Sequence, residues 1–187
     1  MPQENIIYSN KDLLQKIIFI IIICGSIVGI IGNYIQYNIK NDSRGYNISF
    51  IGNILSIMGL IFIIPILISF QYTSGKIINS AKDSILNHLP SILTIATISY
   101  NTIINQLYKT ELNNTNVAPE YYNYLSIYSI LLLLQLIFLG KYISNISSQD
   151  INSNSIYKSI IYLFSALNII LLTIMRIILK YFLEAYK

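Results

Sequence analysis

The chain has one histidine, one cysteine and no tryptophan among its 187 residues, and only 11% of it is charged. Each shortage closes off a class of chemistry. A single histidine cannot supply bis-histidine haem ligation, a multi-histidine metal box or an H-E-x-x-H centre. A single cysteine, Cys24, can form neither a C-x-x-C redox pair nor an intramolecular disulfide, so the redox compartment is not readable. It lies inside an apolar run and is expected to pack as a small hydrophobe. Acidic residues are missing from all five uncharged runs, 17–39, 45–75, 84–108, 121–140 and 159–175. Intramembrane aspartyl proteolysis and a carboxylate proton relay therefore lack their residues. No lysine sits mid-run for a Schiff base, and no TVGYG-like filter is present. No nucleophile or general base with an activating neighbour can be assembled. The expectation is a protein that is not an enzyme and carries neither metal nor cofactor.

What is abundant is apolar sequence. The chain is 54% hydrophobic, and its charged share falls well short of the soluble average of about 25%. A bilayer core about 30 Å thick needs roughly 20 apolar residues at a helical rise of about 1.5 Å. Four of the runs supply that length, the last by extending past Arg176. The fold class is therefore all-α: a polytopic membrane protein, a bundle of four to five transmembrane helices in one domain over residues 1–187. Its spans are about 16–37, 48–72, 91–108, 121–142 and 156–179, the third being the ambiguous one. The first run is longer than a signal-peptide h-region of about 7–15 residues and no A-x-A-like site follows, so it reads as a retained anchor. The net charge of +4 is spread along the chain without a patch, which argues against nucleic acid and for helix ends beside anionic headgroups. Isoleucine makes up close to a quarter of the residues, a bias that A+T-rich codons would produce. An organellar, large-virus, protist or bacterial genome would fit.

The third run is two-sided. Ile92, Leu93, Ala96, Tyr100, Ile103, Ile104 and Leu107 share one side of a helix, with Thr94, Asn101, Asn105 and Gln106 on the other. Such a segment can span with its polar side turned to the bundle, or lie flat on the membrane. A long amphipathic helix from about Gly75 to Tyr108 is expected in either case, kinked or restarted at Pro90, as the second helix should be kinked at Pro65. Counting Lys and Arg speaks weakly for four spans, while the Tyr108 end marker and the length of the uncharged run speak for five. Four spans divide them eight to four, whereas five divide them six and six. Most of the sixteen tyrosines lie near run ends, as an interfacial belt would require; Tyr100 is the exception.

Small residues form the clearest pattern. Gly25, Gly29 and Gly32 recur at i, i+4 and i+7, and Gly52, Ser56 and Gly59 repeat the spacing, so helices 1 and 2 should pack as a close antiparallel hairpin. Asn33, Gln36, Asn53, Asn101, Asn105, Gln135 and Asn168 interrupt the runs. Gln36 continues the first glycine stripe, while Thr94, Thr97, Asn101 and Asn105 make a polar line on helix 3. These residues read either as interhelical hydrogen-bonding groups or as the lining of a hydrated path. Arg176, Lys180 and Glu184 form a charged edge in which Lys180 and Glu184 can pair; Arg176 should snorkel to the interface. His88, beside Pro90, is expected to be a solvated helix-end residue. The sequons at Asn41, Asn47, Asn113 and Asn145 carry little weight in so Asn- and Ser-rich a chain. Two functions survive. One is a structural or assembly subunit docking on other membrane subunits or on copies of itself. The alternative is a small oligomeric channel or transporter with a neutral polar pore lined by helix 3.

Overall fold

The computed structural model describes residues 2–38, 44–73, 81–108, 119–148 and 151–185, and in these ranges the chain forms five helices and no strand. They are α1 (Pro2–Asn38), α2 (Arg44–Thr73), α3 (Ala81–Leu107), α4 (Pro119–Ser148) and α5 (Ile151–Ala185). Lipid offers a backbone no hydrogen-bonding partner, and a helix satisfies its own. Four of the five are long and apolar enough to cross a membrane: Leu13–Gln36, Arg44–Ile68, Tyr121–Asn145 and Ser155–Phe182. Each helix outruns its expected span because charge ends a membrane span without ending a helix, Glu, Lys and Gln being good helix formers. The expected segment Gly75–Ser80 lies outside the described residues. Helix continues on both sides of Pro65 in α2 and of Pro90 in α3.

The helices close into a ring in the order α1, α2, α3, α5, α4 and back to α1, with α4 also touching α2 and α3 across it. The α1–α2 seam is the most extensive and the α1–α4 seam the thinnest around the ring. The glycine stripes explain the first. A Cβ added at Gly25 would come within 2.8 Å of both the Gly52 carbonyl oxygen and the Ser56 backbone nitrogen, and one at Gly52 would meet the backbone of Gly29 and Gly25. Ser56 Oγ then lies 2.8 Å from Ser26 Oγ and donates to the Ile22 carbonyl at 3.0 Å, while Ser49 Oγ donates to Asn33 Oδ1 at 2.7 Å. Backbone contact and buried hydroxyls together replace the hydrophobic drive that lipid does not provide.

Cross-links fix the directions of the rest. Gln15 Nε2 donates to the Ile143 carbonyl at 3.4 Å and Gly140 abuts the Phe19 ring, so α1 and α4 are antiparallel. Phe138 stacks on Phe164 with centroids 5.8 Å apart, and α4 and α5 are likewise antiparallel. Along α3, Asn87 bonds Tyr142, Thr94 bonds Gln135 and Asn105 bonds Tyr121. This helix therefore runs antiparallel to α4 across the whole of α4's candidate span, and lies parallel to α5. Its two-sidedness is resolved accordingly: Thr94, Thr97, Asn101 and Asn105 are buried in the bundle, whereas Ile92, Ala96, Ile103 and Leu107 face outward; Ile104, expected with the outward group, is buried, and Gln106, expected with the inward one, is exposed. Outward residues elsewhere are also apolar, among them Ile20, Ile51, Phe62, Ile130, Leu163 and Ile170.

Three expectations are corrected. Cys24 is exposed on α1 and does not pack inside, because its neighbour Gly25 takes the face that meets α2. His88 is only 4% exposed, because it is carried on the same helix whose polar side turns inward. Tyr46, Tyr121, Tyr122, Tyr128 and Tyr142 are buried and so do not point to headgroups; among the described residues Tyr34 and Tyr181 are the exposed ones. A phenol at a helix end can face a polar interior as readily as the interface.

Two outcomes test this arrangement. Gly52→Ala places a methyl against backbone that cannot move aside and should cost about 1–3 kcal/mol as overpacking. Gly29→Ala should cost less, since its Cβ meets the end of the Asn53 amide; unfolding in mixed micelles measures both. Because α3 shares the depth of α4, cysteines introduced at 109–120 in a Cys24→Ala background should label from the side opposite the N-terminus.

Candidate functional site

On α4, Tyr121, Tyr128, Gln135 and Tyr142 recur every seven residues, nearly two helical turns, and so lie along one line of the helix. On α3, Asn87, Thr94 and Asn101 do the same, with Asn105 one turn further. The two lines face each other as a ladder. In the first rung, Tyr142 Oη donates to the Asn87 carbonyl at 2.6 Å. Lys158 Nζ of α5 donates to Asn87 Oδ1 at 2.7 Å and stands 5.7 Å from the centre of the Tyr142 ring. The second rung centres on Gln135, which is fully buried. Its Nε2 donates to Thr94 Oγ1 and to Ser165 Oγ, both at 2.9 Å, and its Oε1 accepts from Asn168 Nδ2 at 2.9 Å. Thr94 in turn donates to the Pro90 carbonyl at 2.8 Å. One glutamine thus joins α3, α4 and α5 with every polar atom of its amide engaged. The fourth rung is Tyr121 Oη donating to Asn105 Oδ1 at 3.1 Å, beside an edge-on Tyr121–Tyr122 contact.

The third rung differs. Asn101 and Tyr128 stand at one level by the register of their neighbours, and both are at most 1% exposed. Neither the amide nitrogen nor the amide oxygen of Asn101 has a hydrogen-bond partner, nor does Tyr128 Oη. Asn105 Nδ2 and Asn168 Oδ1, on either side of this level, are also unpartnered. The cause lies on α5. It presents Lys158 to the first rung and Ser165 to the second, but the next residue at that spacing is the buried, apolar Leu172.

The other sequence-derived candidates are distributed as follows. Gly25, Gly29, Gly32, Gly52, Ser56 and Gly59 all lie at the α1–α2 seam. Gln36 belongs to that seam too, its Cγ close to Gly45, and is not brought to the α3 line. Thr97 lies on the inward side and gives its hydroxyl to the Leu93 carbonyl at 2.8 Å. Arg176 faces outward at the α3–α5 seam, on the side of Tyr100 and Tyr108. Lys180 pairs with Glu184 at 3.8 Å, both well exposed. His88 has both ring nitrogens buried and unpartnered. A cleft of about 210 Å³ opens at the thin α1–α4 seam, lined by Ile30, Asn33, Tyr34, Tyr122, Ser126 and Ser129 among others. Sequence reasoning missed Tyr128 and the ladder as a whole; the seven-residue recurrence on α4 was the available signal.

Chemically the ladder offers neutral hydrogen-bonding groups and one ammonium. Among the described residues no three or more His, Cys, Asp or Glu side chains converge on a point that would hold a metal ion. Comparison of the chain with protein-family models, with curated proteins and with solved structures finds no match.

Interhelical hydrogen bonds in membranes average about 0.6 kcal/mol, so Gln135→Leu, which removes three, should destabilise the protein by roughly 2 kcal/mol. Thermal unfolding in lipid nanodiscs reads this directly, and Ser165→Ala should cost a fraction of it.

Proposed function

We propose that the chain is a non-catalytic, multi-pass membrane subunit with a structural or assembly role, docking on other membrane subunits or on copies of itself. The observation that carries this reading is where the polar side chains of the spans go. Thr94, Gln135, Ser165 and Asn168 bond one another inside the chain, and Asn105 bonds Tyr121. Groups used up in joining helices are scaffold, and the outward surface they leave is apolar and suited to packing against lipid or other helices. The α1–α4 cleft supports the same reading, because a thin seam is where a further helix enters a bundle with least rearrangement. The unpartnered third rung favours a second reading, transport of a small neutral species. Any such path would run inside one copy of the chain, since the α3 polar line is buried within it.

The two readings separate on the particle extracted from its native membrane in mild detergent with a small C-terminal tag. A large particle containing other subunits in fixed ratio is the expected result. A lone or self-associated chain that passes small neutral solutes in liposomes would replace the structural reading with the transport one.

A further inference from the structure

The third rung combines features that do not belong together in a dry membrane interior. Five polar atoms from three helices are buried without a protein partner: Asn101 Nδ2 and Oδ1 and Tyr128 Oη at this level, with Asn105 Nδ2 about one helical turn to one side of it and Asn168 Oδ1 to the other. Above and below, rungs of the same design are bonded at 3.1 and 2.9 Å. An unmet buried donor or acceptor is costly, and five in one region would cancel much of the small net stability of a folded chain. The bundle cannot close the gap by itself, because Leu172 occupies the position from which α5 would reach in. Nor do α3 and α4 press together here: they form one of the loosest helix pairs, bridged by long side chains.

We propose that Asn101, Asn105, Tyr128 and Asn168 form a built hydration site in the middle of the bundle, in which bound water completes the third rung of the α3–α4 ladder. The chemistry of the donor set selects the occupant. It offers two amide N–H₂ groups, a phenol that both donates and accepts, and two amide oxygens; buried water makes about three hydrogen bonds and takes either role. No carboxylate faces the site, so a cation would be left with its charge uncompensated in a low dielectric. An apolar occupant would leave all five atoms unmet. The second rung explains the selectivity of place: Gln135 spends its amide on protein partners, so water has no role there. The site does not depend on whether the chain is scaffold or transporter.

Hydroxyl-radical labelling by X-ray pulses, with the full chain in lipid nanodiscs, tests this because radicals formed from bound water oxidise the side chains that touch it. Tyr128 should be oxidised in the folded protein despite being fully buried, alongside the exposed Tyr181, and Asn101→Leu should abolish the labelling at Tyr128 alone. Stability gives a second, independent reading through Tyr128→Phe, which removes one oxygen and no bulk. With water bound, the folded-to-unfolded ratio should fall about tenfold, the loss of one buried hydrogen-bonded contact. A Tyr128 that stays unlabelled while Tyr181 reacts would overturn the proposal. So would a Tyr128→Phe variant more stable than the parent, which is the behaviour of a dry, unsatisfied phenol.

Discussion

Gln135 of α4 bonds both α3 and α5 and so joins three helices through one side chain, and the far half of the ring is organised around it. In water, burying apolar surface would bring α3, α4 and α5 together; in lipid that drive is missing, because a leucine is as comfortable against an acyl chain as against another leucine. What remains is close packing and the requirement that polar groups find partners. An amide in hydrocarbon has few alternatives, so the pairing with Thr94, Ser165 and Asn168 selects both the helices that meet and the register in which they meet. A one-residue slip of α3 would rotate Thr94 away by about 100° and leave the amide stranded.

The two halves of the bundle are held by different physics. α1 and α2 meet through glycines, with backbones near contact and serine hydroxyls filling the remaining space. Their geometry tolerates no added bulk. α3, α4 and α5 meet through long polar and aromatic side chains that stand between the helices. The halves join firmly along α2–α3 and thinly along α1–α4, where the cleft opens. The closest backbone approach is thus in the hairpin, and the polar ladder lies in the other half.

The hairpin was legible in the sequence because its signal is local: a stripe of small residues on one helix implies close approach whatever the partner. The sidedness of α3 was equally legible, and so was the Lys180–Glu184 pair, but which side faces protein depended on the neighbours. Once Gln135 and Tyr121 supply partners, Thr94 and Asn105 turn inward. The ladder itself was hidden for a physical reason. Three of its four α4 members are tyrosines, which carry no charge, so the line dissolved into the uncharged run. His88 misled because proximity to a loop suggests water, while its exposure is set by the face of the helix it occupies. Cys24 misled in the opposite direction: an apolar run implies lipid or protein without saying which.

The parity of the ring has a consequence of its own. Five is odd, and neighbours around an odd closed circuit cannot all alternate up and down; one adjacent pair must point the same way. Here the mismatched pair is α3 and α5, whose dipoles stand side by side and repel where an alternating pair would attract. That is the seam beside which Arg176 stands near Tyr100 and Tyr108. Removing α3 or α5 from the circuit, or setting between them a helix antiparallel to both, would lift the mismatch, whereas a helix entering at the α1–α4 opening would not. A lone copy of this chain therefore carries a built-in dissatisfaction at the α3–α5 seam that one added helix of the right polarity there would relieve.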